Sequence, residues 1–190
     1  IGKLLVQSCV NTLGVDTIAA FNAVNRVDDF AYTPQQNIAH AMTTFIAQNR
    51  GAGKTERIER GFRAGAVLEA AYWAVLALIV LASARGIMGL FVPDDAAVVE
   101  MGTKYLHWMA LFYLLPACTN WIQGYFRGMG DLKVTLFSTS IQMLGRVIFT
   151  FLLAPGFGIE GIAFAQLGGW LVMLAYEVPV LVHARRSRGV

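Results

Sequence analysis

Apolar positions in this chain come in long blocks, separated by short turns rich in glycine, proline or charge. Residues 64–84 carry a single charge, Glu69, and are enough to cross a bilayer. Similar blocks at 97–126, 132–154 and 160–182 predict further long helices. Residues 1–13 read as the closing turns of a helix stopped by Gly14, with Asp16 or Thr17 capping the next. That next segment, 17–47, differs from the rest. Asn22, Arg26, Asp29, Thr33, Gln36, His40 and Thr44 recur at steps of three and four, so they form one stripe down a helix about 45 Å long. Pro34 predicts a kink within it, and Pro116 a bend in the fourth helix. Pro155-Gly156-Phe157-Gly158 predicts a turn.

The expected fold is therefore all-α. It is a polytopic transmembrane bundle of helices at about 1–13 (partial), 17–47, 55–84, 97–126, 132–154 and 160–182, making one lobe over 1–190. Composition agrees, with 56% apolar and 14% charged residues, against about a quarter charged in soluble domains. A polar stripe on a spanning helix cannot face acyl chains; it must face a bundle interior or a watered cavity.

Charge sets the orientation. Gln48 to Arg63 holds five cations, and the stretches 48–63 and 127–133 with the C-terminus hold ten of the fifteen Lys and Arg residues. The positive-inside rule puts these segments in the cytoplasm and the chain in the plasma (inner) membrane. The turns at 85–97 and 155–158 fall outside. The small net charge of +3 leaves no basic face for nucleic acid. Gly53-Lys54-Thr55 ends like a phosphate-binding loop, but Gln48 stands where that loop needs glycine and a helix precedes it. Nucleotide hydrolysis, and enzyme activity with it, is not expected. Cys9 and Cys118 lack metal-like spacing and read as packing residues.

The charges inside the apolar blocks are the candidate chemistry. Asp29 lies about 18 Å from the outer end of its helix and Arg146 about 12 Å from its own, at similar depth. Asp29 first and Asp28 second are candidate cation-coupling acids, with Arg26 and Arg146 as charge partners. Asp28 stands about a third of a turn off the stripe. Gln7, Asn11, Asn22, Thr33, Gln36, His40, Asn120 and Gln123 are candidate cavity groups. No metal is expected beyond Na⁺ at Asp29. Glu69 is a weaker candidate, for which a functional and an interfacial or packing role weigh equally; His107, Trp108, Trp121 and Trp170 are secondary candidates, more in keeping with packing.

Asn11-x-x-Gly14, Ile18-Ala19-Ala20, Pro34, Gln48-Asn49-x-Gly51-Ala52-Gly53 and Arg57 resemble the second lobe of multidrug and toxic compound extrusion (MATE) transporters. Arg127-Gly128-x-Gly130-Asp131, the Arg146 region and Gly158-Ile159-x-Gly161-Ile162-Ala163 extend the likeness over essentially the whole chain. The resemblance implies two lobes of six helices, of which this chain supplies part of helix seven through helix twelve. It implies an antiporter that exports small organic cations or drugs in exchange for Na⁺ or H⁺ by alternating access, without a cofactor. The expected partners are the lipid bilayer and an N-terminal lobe. A lipid-linked oligosaccharide flippase should show a more cationic cavity, and a non-transporting membrane subunit a dry, fully paired stripe.

Overall fold

The computed structural model describes residues 2–93 and 95–187. Among them there is no strand. Six helices follow in order: α1 (Gly2–Val10), α2 (Val15–Gly51), α3 (Thr55–Phe91), α4 (Ala96–Phe112), α5 (Leu114–Gly128) and α6 (Leu132–Ser187). The all-α bundle is thus observed, with boundaries that differ from the sequence reading for identifiable reasons.

The expected fourth helix is two. Pro116 has no N–H for the Phe112 carbonyl, and its ring crowds that oxygen, so the helix breaks at Tyr113. Pro34, by contrast, leaves α2 continuous over 37 residues. The carbonyls near the gap find another donor: the Tyr72 hydroxyl of α3 lies 3.1 Å from the Ala31 oxygen and 3.4 Å from that of Phe30. A neighbouring helix re-satisfies what proline released.

The last two expected helices form one helical run folded at Gly158 (φ 56°, ψ −132°). Its arms, 132–157 and 159–187, lie antiparallel, with an added Cβ on Gly161 only 2.5 Å from the Leu153 oxygen and one on Gly145 3.5 Å from the Gly169 Cα. Glycine at these crossings lets the two backbones touch. The same device joins α2 to α5. A Cβ on Gly124 would come within 2.9 Å of the Ala39 oxygen, and one on Gly128 within 2.9 Å of the Thr43 oxygen. Thr43 Oγ1 donates to the Gly124 carbonyl at 3.2 Å across this contact.

Neither Asp16 nor Thr17 caps α2; Gly14 (φ 98°) holds that position without a side-chain bond. Asp95 does cap α4, accepting from the Ala97 and Val98 amides at 3.0 and 3.1 Å. Of the outer turn, Asp94 lies outside the described residues, as do Ile1 and Arg188 of the basic tail.

The basic segments gather at one end. Arg50 donates to the Met129 carbonyl, tying the α2–α3 turn to the α5–α6 turn. Arg185 pairs with Glu59 at 2.7 Å, and its guanidinium lies 4.5 Å from the Phe62 ring centroid. By length and apolarity, α3 and α6 could each cross a membrane, with mean hydropathy of 2.1 and 1.8 over their most apolar windows. Their outward faces expose Val67, Leu68, Leu78 and Ile79 on α3 and Leu136, Leu144, Ile148 and Leu152 on α6. Such a surface suits acyl chains and not water. α2 does not meet that test of apolarity, because its stripe is polar.

Candidate functional site

α2 sorts its residues by face. Ala20, Val24, Val27, Ala31, Ala39 and Ile46 are buried, whereas Asn22, Arg26, Asp29, Thr33, Gln36 and His40 are exposed. The stripe therefore borders an opening instead of the packed interior. Part of it lines a cavity of about 610 Å³. Gln7, Asp28, Asp29, Thr33, Gln36, Asn120, Gln123 and Arg146 are all at its wall. Arg26, Asn11, Asn22 and His40 are not. Arg26 instead sits 6.0 Å from the Phe91 ring centroid, toward the end of α3, and has no carboxylate within ion-pair distance among the described residues. Asn11 accepts from Gln7 Nε2 at 3.0 Å, one helical turn away. The walls come from α1, α2, α5 and both arms of α6, whereas the cavity groups named from the sequence included none in the last helix. The second arm adds Gln166, Trp170 and Met173.

Asp28 and Asp29 occupy different environments because they point about 100° apart around α2. Asp29 is on the exposed face. Asp28 is 3% exposed and held by two hydroxyls: Tyr113 donates at 2.6 Å to one carboxylate oxygen and Tyr105 at 2.9 Å to the other. Tyr105 in turn accepts from Gln166 Nε2 at 3.2 Å. Gln35 Nε2 donates to the Tyr113 carbonyl at 3.1 Å, pinning the α4–α5 break against α2. Tyr32 packs edge-on against Tyr113 and Trp170, with centroids 5.6 and 5.9 Å apart. Arg146 lies within electrostatic reach of Asp28 and has a buried Nε without a partner. An acid with both oxygens hydrogen-bonded, a nearby unpaired guanidinium and an adjoining cavity can bind and release a small cation or proton.

Among the described residues, the charged groups at the wall are Lys3, Asp28, Asp29 and Arg146, two of each sign. Sequence reasoning reached the same cancellation with Arg26 in place of Lys3. It did not find the tyrosine clamp, which joins residues 77 and 85 positions from Asp28.

Other candidates lie apart. Glu69 is 2% exposed, and neither of its oxygens has a partner. His107 is exposed. Trp108 donates to Glu160 at 3.2 Å, Trp121 to the Phe62 carbonyl at 2.7 Å, and Trp170 lines the cavity. Glu177, overlooked in the sequence, is completely buried in the second arm of α6.

A helical lobe with an apolar outer belt and a polar cavity bordering one open face is the architecture of a membrane transporter half. The MatE family profile matches residues 1–152, and the chain belongs to that family of integral membrane transporters, which are not enzymes. It is 27% identical over 162 residues to the probable multidrug resistance protein YpnP of Bacillus subtilis, covering 85% of this chain and 36% of that protein. The probable multidrug resistance protein NorM of Deinococcus radiodurans is 26% identical over 166 residues, with 82% of this chain and 36% of that protein covered. In fold, the chain superposes on an inward-facing multidrug resistance MATE family transporter of the MOP superfamily with a TM-score of 0.87. That match has 17% identity and covers 93% of this chain and 40% of the other. An outward-facing MATE structure gives 0.86 at 18% identity, covering 92% and 39%. The chain thus spans little more than a third of the length of the curated relatives it matches.

Proposed function

We propose that this chain is one lobe of a secondary active antiporter that exports organic cations in exchange for protons by alternating access. Its basic end faces the cytoplasm of the inner membrane, as the positive-inside rule requires. Asp28 is the coupling acid. The observation that carries the reading is its position: a buried carboxylate at a polar cavity, held by two tyrosine hydroxyls and facing Arg146. Asp29, exposed on the same wall, contributes charge toward a cationic substrate, and Gln7, Thr33, Gln36, Asn120 and Gln123 offer it hydrogen-bonding groups. Tyr32 and Trp170 supply aromatic faces for an organic cation.

The groups around Asp28 favour a proton over Na⁺. Two O–H donors and a guanidinium hold the ionised carboxylate and can turn away when it takes up H⁺, whereas Na⁺ needs a ring of oxygen acceptors that they do not provide. The balanced wall charges also support a cationic cargo over a lipid-linked pyrophosphate, which would require a net positive cavity.

The test uses the full-length transporter in proteoliposomes, with efflux of a fluorescent organic cation driven by a pH gradient or by a Na⁺ gradient. Asp28→Asn should abolish proton-driven efflux at unchanged expression, while Asp29→Asn retains part of it. Efflux by Asp28→Asn at the wild-type rate would remove Asp28 from coupling, and efflux driven only by Na⁺ would overturn the choice of ion.

A further inference from the structure

Glu177 is an acid that the scheme above does not use. It is the only charged residue between 161 and 182, is 0% exposed, and sits where the second arm of α6 meets α5 and the first arm. Its Oε1 accepts from Gln123 Nε2 at 3.2 Å, while its Oε2 is buried without a partner. The charged group facing it from α5 is Arg127, within electrostatic reach, whose Nε and Nη2 are likewise buried and unpartnered. The first arm of α6 offers Ser138, an uncharged hydroxyl. On its own arm the next cation toward the basic end is Arg185, already engaged by Glu59, and His183 is exposed.

An acid and a guanidinium that face one another and yet share no bond leave both partners with bare polar atoms. A bare carboxylate oxygen is much costlier in a low-dielectric interior than a bare hydroxyl. The arrangement has two economical states. With the pair apart, a proton on Glu177 removes the cost of a bare carboxylate; with Arg127 closed on Oε2, the carboxylate is ionised and that proton has passed to water.

Gln123 connects this pair to the cavity. Its Nε2 stands 3.2–3.4 Å from three acceptors, Glu177 Oε1, Ser138 Oγ and Thr139 Oγ1, with only two hydrogens to give. The same side chain is at the cavity wall, so a bound molecule that draws on the amide takes a donor away from Glu177.

We propose that Glu177 is a second proton-binding site of this lobe, opposed by Arg127 and linked to the cavity through Gln123. The proton site stands on its own geometry; its link to cargo rests on the transport reading given above. Infrared difference spectra of the full-length transporter in nanodiscs, recorded over a pH titration, read the site directly. The expected result is a titrating carboxylic-acid C=O band that disappears in Glu177→Gln, moves in Glu177→Asp and persists in Asp28→Asn. A wild-type set of bands in both Glu177 variants would overturn the proton site. Tetraphenylphosphonium, as a cationic probe, should shift that band in the wild type but not in Gln123→Met. A shift that survives Gln123→Met, or its absence from the wild type, would overturn the link. If the titration succeeds and the probe leaves the band unmoved, the link has failed and the proton site has not; failure of the transport reading shows separately, as absence of efflux in proteoliposomes.

Discussion

The same substitution, glycine to alanine, should have opposite signs at two helical positions of this lobe. At Gly86 in α3 an added methyl meets nothing within 4 Å, so only helix propensity acts, and alanine should gain about 0.5–1 kcal/mol. At Gly124 in α5 that gain is opposed. The new Cβ would lie 2.5 Å from Met42 Cε, which can swing away, and 2.9 Å from the Ala39 carbonyl oxygen, which is part of the α2 backbone and cannot. Relief requires α2 and α5 to separate, which lengthens the Thr43–Gly124 hydrogen bond. Overpacking of this kind costs about 1–3 kcal/mol, and an interhelical hydrogen bond in a membrane averages about 0.6 kcal/mol. The net expectation is a loss of about 1–3 kcal/mol at Gly124 against a small gain at Gly86. Equilibrium unfolding of the full-length protein in detergent micelles measures both. Thr43→Val serves as the control that removes the hydrogen bond alone. If Gly124→Ala proves as harmless as Gly86→Ala, then α2 and α5 are not in backbone contact and the cavity wall they build is misplaced.

Further expectations follow from other contacts. Gly158→Ala should destabilise by about 1–3 kcal/mol in the same unfolding assay, since φ 56° with ψ −132° is a conformation unfavourable to any Cβ though the space is open. Arg185→Ala removes both the part-buried bond to Glu59 and the contact over Phe62 and should cost about 1–2 kcal/mol. Arg60→Ala, whose pairing with Glu56 is in solvent, should leave the unfolding midpoint unchanged. Tyr72→Phe should increase the bend of α2 at Pro34, because it removes the donor near the Phe30 and Ala31 carbonyls. Spin-label distances between the ends of α2 would show the shortening.

The helical bundle was legible because membrane spans announce themselves through length and apolarity, and the α2 stripe through its three-and-four spacing. What spacing could not rank was Asp28 against Asp29. Stripe membership favoured Asp29, but in a lobe with one open face the stripe marks exposure, and the residue just off it is the one that meets neighbouring helices. Arg26 is a similar case. It shares the stripe, yet it lies on the outer part of α2, where Phe91 and not the cavity receives it. The tyrosine clamp joins positions far apart in the chain, which no local pattern reveals. Glu177 was within reach of the sequence, as a lone acid in an apolar run, and the same rule that singled out Asp28 and Asp29 applies to it. Helix breaks were harder. Pro34 and Pro116 read alike in sequence, yet α2 runs unbroken through one, where the Tyr72 hydroxyl reaches the Phe30 and Ala31 carbonyls, and the other follows a break.

The division at Tyr113 has a mechanical meaning. Tyr105 rides on α4, and Tyr113 is the residue between α4 and α5, so the two hydroxyls that grip Asp28 come from a helix and from the break that ends it. A change in the angle at which α4 meets α5 would shift one of those hydroxyls relative to the other. The hydrogen bonding of a single carboxylate thus depends on how two helices meet.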